Sequence, residues 1–105
     1  MLNKDHLPLL RKARELIDNC TFTYICRAIG AAVHHLGQSY WMGADVINVI
    51  NVSLTGIDYG GYSPRLEFWL AAQLSIPWVH LHDDTLRLAR LAWLDKLIWD
   101  IEHAE

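Results

Sequence analysis

Charge is scarce in the middle of this chain. Across 105 residues there are nine Lys and Arg and twelve Asp and Glu, yet from Ala28 to Pro64 the only formally charged side chains are Asp45 and Asp58. A solvated helical surface carries more, so this stretch is either buried or a contact surface. The net charge of −3 excludes nucleic-acid binding by bulk electrostatics, which needs a concentration of Lys and Arg. Cysteine is scarce too. Cys20 and Cys26 are too few for a disulfide scaffold and match no zinc spacing; six apart, they fall on different faces of a helix and read as free thiols in a reducing compartment. Long apolar runs are missing. The opening stretch MLNKDHLPLL has no apolar signal core, and nothing reaches the roughly 18 residues a membrane span requires, so a cytoplasmic protein without a membrane partner is the expectation. Internal repeats and low-complexity tracts are absent.

Motifs of catalysis are also missing. The chain has no Gly-x-Ser-x-Gly, no metal-ligand pair at helical spacing and no Cys/His dyad with a local third member. No catalytic residue is therefore named, no cofactor is expected, and the chain reads as a non-enzyme, although a triad need not be local in sequence.

What is present is apolar content. Hydrophobic residues make up 52% and charged residues 20%, which excludes a disordered chain and fits one small domain over 1–105. Five Trp are many for this length, and large aromatics carry much of the energy at interfaces.

The periodicity predicts an all-α, compact bundle of about five helices. Pro8 suits the first turn of the first, where its missing N–H costs nothing. Leu10, Ala13 and Ile17 form its stripe with Leu9 and Leu16 beside it, and Arg11–Glu15 and Arg14–Asp18 are i,i+4 pairs outside. Thr21 or Thr23 can cap a second helix, in which Ile25, Ile29, Ala32, Val33 and Leu36 recur up to Gly37. Ser39 can cap a third, Tyr40 to Leu54. Its residues 46–54 are rich in β-branched types that favour strand, but the apolar pattern fails strict alternation and fits a helix; a short strand is the alternative. Ser63-Pro64 opens a fourth helix with Leu66, Trp69, Leu70 and Leu74 on its stripe. The last and central helix lies within Thr85–His103. Its apolar residues spread over more than half its circumference, so it is either surrounded by the others or buries one flank in a partner.

Three places could carry function. Arg27 is the only strong cation between Arg14 and Arg65 and lies on an almost uncharged helix. It either pairs with a carboxylate, most simply on the last helix, or clamps a phosphate or carboxylate ligand in its planar fork. The loop TGIDYGGYS lacks the Gly-Lys-Ser/Thr ending of a phosphate loop, but with the helix after it Tyr59, Tyr62, Arg65 and Trp69 form a recognition surface, or the tyrosines simply pack. In an extended connector His80 and His82 point the same way beside Asp83 and Asp84, a pattern that two-His-one-carboxylate metal sites share; the simpler reading gives Asp83 or Asp84 to the cap of the last helix.

On the last helix Leu88, Ala92 and Trp99 form a flank apart from the Trp93–Leu97 seam. Arg87 and Arg90 near its start, with Asp95, Asp100 and Glu102 near its end, oppose its dipole. Antiparallel self-pairing would use both the flank and that charge order, so a homodimer through this helix is expected.

Three segments carry a resemblance: Ala13-Arg14-Glu15-Leu16-Ile17, Tyr24-Ile25-Cys26-Arg27-Ala28-Ile29, and Leu66-Glu67-Phe68-Trp69-Leu70 with Arg90-Leu91-Ala92-Trp93-Leu94-Asp95-Lys96-Leu97-Ile98. Together they resemble a group of phage and prophage proteins of about a hundred residues, with a Phe-Ile-Cys-x-Ala-Leu helix and a closing Arg-x-x-Trp-Leu-Asp-x-Leu-Ile helix. The match touches roughly a third of the chain, and Ser63-Pro64 and the His-rich connector depart from it. The resemblance implies an origin, and with it binding work: inhibition of a host protein, such as a CRISPR defence complex, by surface occlusion, or sequestration of a nucleotide signal. A metal-dependent enzyme using His80 and His82 is the remaining alternative.

Overall fold

A computed structural model describes residues 2–20, 24–58 and 84–104. These residues are helical, with no strand among them. A short 3-10 turn, Lys4–His6, leads into α1 (Leu7–Asp18), followed by α2 (Ile25–Leu36), α3 (Tyr40–Thr55) and α4 (Asp84–Glu102). The fifth helix expected after Ser63-Pro64 lies outside the described residues, as do Thr21, Thr23 and the connector 76–81. The radius of gyration, 12.8 Å, is that of a compact chain of this length.

The punctuation follows local chemistry. Asn3 and His6 form a capping box at the 3-10 turn: the Asp5 N–H donates to Asn3 Oδ1 at 2.9 Å, and the Asn3 N–H donates to His6 Nδ1 at 3.1 Å. Pro8 occupies the first turn of α1, as its fixed φ favours. Gly37 ends α2 in the left-handed region at φ 63°, where the Gln38 N–H donates to the Val33 carbonyl at 3.0 Å, the bond that closes such helix ends. Tyr24 stands at the N-cap of α2 and makes no capping bond with its side chain. Ser39 takes the extended N-cap conformation of α3, but its hydroxyl makes no capping bond.

Residues 46–54 are helix, within α3. The β-branched run loses its strand preference because helical geometry sends Val46, Ile47 and Ile50 into the core together. At the far end the Thr55 hydroxyl donates back to the Asn51 carbonyl at 2.8 Å, and Gly56, at φ 74°, stops the helix.

One apolar cluster links all four helices. Leu9, Leu10 and Ile17 of α1, Ile25 and Ile29 of α2, Ile47 and Ile50 of α3, and Leu86 and Leu94 of α4 are completely buried within it. The expected stripe of α1 is buried in full, including Leu16 at its edge. The organising helix differs from the expectation. Among the described residues α1 is the helix packed extensively on both α2 and α4, while α4 lies mainly along α1 and leaves an outer flank in water.

Candidate functional site

That outer flank is built by helical arithmetic. Leu88, Ala92, Asp95 and Trp99 recur at i, i+4, i+7 and i+11, which places them on one line of α4. Leu88 is 57% exposed and Trp99 59%, and Ala92 is exposed between them. Opposite runs the buried line Leu86, Arg90, Leu94, Leu97 and Ile101. Trp99 is steadied from its own helix: the His103 ring stacks on the indole at 4.2 Å between centroids and 17° between planes, and its Nδ1–H donates to the Trp99 carbonyl at 2.9 Å.

Arg87, Asp95, Asp100 and Glu102 of α4 have partners inside the chain. Arg11 donates to Glu102 at 2.9 Å, Arg14 grips both carboxylate oxygens of Asp95, with Nη2 to Oδ2 at 3.3 Å, and Arg87 faces Asp18 at 3.4 Å. Asp100 takes Lys96 at 2.9 Å within the helix. Donating to Asp95 holds the Arg14 pKa above its usual value. The charge order that opposes the α4 dipole is thus explained by α1, which runs antiparallel beside it. Two sequence readings change accordingly. Arg14–Asp18 forms, at 3.8 Å, but Arg11 leaves Glu15 for Glu102, and Glu15 takes Lys12 at 3.4 Å. Arg90 is not on the outer flank. It is fully buried, with its guanidinium 5.4 Å from the centre of the Tyr24 ring.

A second exposed surface lies at the start of α3. Tyr40 is 55% exposed and Trp41 67%, their rings nearly perpendicular with centroids 5.2 Å apart. Arg27 is exposed on α2 and makes no ion pair among the described residues, so the partner carboxylate on the last helix is not found there. A cavity of about 260 Å³ opens between the N-terminus, α3 and α4, lined by Leu2, Val49, Leu97, Asp100, Ile101 and Ala104. Its walls are apolar except for Asp100, which Lys96 already engages.

Tyr59, Tyr62, Arg65, Trp69, His80 and His82 lie outside the described residues. Among those described, no cluster of His, Cys, Asp and Glu could hold a metal ion, and no helix is long and apolar enough to cross a membrane. Neither Cys20, which is exposed, nor the half-buried Cys26 is in a disulfide.

Sequence reasoning missed His6 and Arg90. The Asn3-x-x-His6 spacing was a readable signal for the capping box. For Arg90 the signal was its place four residues from both Leu86 and Leu94, on the line that faces the core. Compared with known proteins, the chain matches no family model, no curated protein and no solved structure.

Proposed function

We propose that this chain is a small phage-type interaction protein that pairs with itself through α4 and binds and inhibits a host protein by covering its surface. The observation that supports the reading is the Leu88–Ala92–Trp99 line, an apolar flank left in water on a helix whose opposite side is core. Burying a large apolar side chain is worth about 1.5–3 kcal/mol, so a second copy laid antiparallel would gain most where Leu88 meets the partner's Trp99. Self-pairing rests on this apolar line alone, since Arg87, Asp95 and Asp100 are engaged within the chain. Host inhibition, with a defence complex such as CRISPR as one target, rests on the phage-type resemblance and on the exposed aromatics of α3.

Mass in solution tests the pairing. The protein should run as a dimer and Trp99→Asp as a monomer; a dimer that survives the substitution sinks the α4 interface. For inhibition, cells with an active defence system should lose protection against infection when they express the protein. Unchanged protection, with no host protein co-purifying, would remove the inhibitor reading.

A second reading, a small-ligand binder that sequesters a nucleotide signal, is favoured by one observation: Arg27 is exposed and without an ion pair among the described residues. Ligand binding to the native state raises the melting temperature. A thermal-shift screen against nucleotides should then show a rise that Arg27→Ala or Arg65→Ala removes. No shift with any nucleotide discards the reading.

A further inference from the structure

We infer that the Tyr40–Trp41–Asp45 corner of α3 is the seat for an arginine side chain presented by the protein partner. The inference rests on the reading of this chain as an interaction protein and uses a surface separate from the α4 flank.

The corner is built from one helix. Trp41, Asp45, Asn48 and Val52 recur at i, i+4, i+7 and i+11 and share a line of α3. Three of them are exposed: Trp41 at 67%, the Asp45 side chain at 57% and Val52 at 41%. One turn apart, Trp41 and Asp45 are surface neighbours, about 5–6 Å between their Cβ atoms. Tyr40 stands nearly at right angles to the indole and braces it from the neighbouring position.

Asp45 differs from the acids of α1 and α4. Glu15, Asp18, Asp95, Asp100 and Glu102 each face a Lys or Arg of this chain. Asp45 faces His6 Nε2 at 3.5 Å. His6 Nδ1 is occupied by Asn3, whose N–H donates to it at 3.1 Å and whose Oδ1 lies at 3.2 Å, so Nε2 is the ring nitrogen left to face Asp45. At 3.5 Å that nitrogen stands at the outer limit of a hydrogen bond, and the Asp45 side chain stays 57% exposed. Nor does the sequence nearby supply a cation, since residues 28–58 contain no Lys or Arg. A net negative charge in an apolar, aromatic surround is complementary to a cation brought from outside.

The geometry selects arginine among cations. A guanidinium is planar and weakly hydrated, so it can lie on an indole face while its N–H fork reaches a carboxylate; an ammonium does the second but not the first. Exposed Trp and Tyr beside a complementary charge are also the side chains that anchor protein interfaces.

The test uses the whole chain and an acetylated peptide carrying three arginines separated by glycines. The chain has five Trp, and comparison with Trp41→Phe assigns the Trp41 indole N–H signal in NMR. That signal should move on titration and stay still with the same peptide carrying citrulline, which keeps the shape and removes the charge. Asp45→Asn keeps an acceptor for His6 and should weaken the response about tenfold, the loss of one charge-assisted contact. Equal shifts with citrulline, a silent Trp41, or unchanged binding by Asp45→Asn each overturns the inference; an equal response to a lysine peptide overturns the choice of arginine. Trp99→Asp leaves the corner intact and should bind the arginine peptide as wild type does. Failure of the α4 pairing and failure of this site are thereby read separately.

Discussion

The α1–α4 pair and the α2–α3 pair use surface chemistry in opposite ways. Along α1 and α4, cations and anions meet across the seam in three places, and Glu15 and Asp100 find a cation on their own helix. Along α2 and α3 the only Lys, Arg, Asp or Glu are one Arg and one Asp, the latter facing His6, and Leu36, Tyr40, Trp41 and Val52 are exposed. Both pairs bury aliphatic residues in the same core. The difference lies outside the core: paired charges fix how two helices of one chain lie together, whereas exposed aromatics keep apolar surface in water. The outer flank of α4 belongs with the second kind although its helix belongs with the first.

The comparison can be broken by substitution. Leu94→Ala, at a fully buried position facing α1, should destabilise by about 3 kcal/mol in chemical denaturation through lost burial and a cavity. A loss under 1 kcal/mol would mean that the α1–α4 seam is not core. Arg14→Ala opens the middle of the ladder and should cost about 1 kcal/mol or less, because Arg14 is partly exposed, and the cost should shrink in high salt. A salt-independent loss would point to packing of the stem. Gly30 lies inside α2, and an added Cβ would meet nothing within 4 Å. Gly30→Ala should therefore stabilise by about 0.5–1 kcal/mol, seen as a raised melting temperature. Destabilisation would show that another surface closes over Gly30 in solution. Smallest of all, Trp41→Ala should change stability by less than about 0.5 kcal/mol, as exposed substitutions do. If it costs as much as Leu94→Ala, the α3 surface is interior and the contrast collapses.

Much of this fold was legible because periodicity and charge agree. Leu9, Leu10, Ala13 and Ile17 fall on one face of α1 with Arg and Glu opposite, and they are the buried face. Gly37 and Gly56 both take the left-handed turn their sequence positions invite. In α3 two local signals conflicted, and burial of Val46, Ile47 and Ile50 decided for helix. The charges of α4 misled for a different reason. Arg87, Asp95 and Glu102 looked unaccounted for on their own helix, and their partners lie 69 to 91 residues away in sequence. His6 and Asp45, 39 residues apart, pose the same problem. Of the outer flank, Leu88 and Trp99 were readable because exposure follows from helical phase once the core line is known. Arg90 was not, because a charged side chain is ordinarily placed in water.

The separation of the α1–α4 contacts in sequence has a consequence for how the chain comes together. Contacts between α1 and α2 close over a short stretch, whereas the Arg11–Glu102 pair joins residues 91 apart. Distant closure must meet its entropy cost before any contact rewards it, so α4 is expected to close on α1 after α1 and α2 have paired. Pulse-labelled hydrogen exchange during refolding should find α1 and α2 amides protected before those of α4. Simultaneous protection would show that the chain closes in one step. Until α4 arrives, the side of α1 that it covers has no shelter, and that interval is when this protein is most exposed to aggregation and proteolysis.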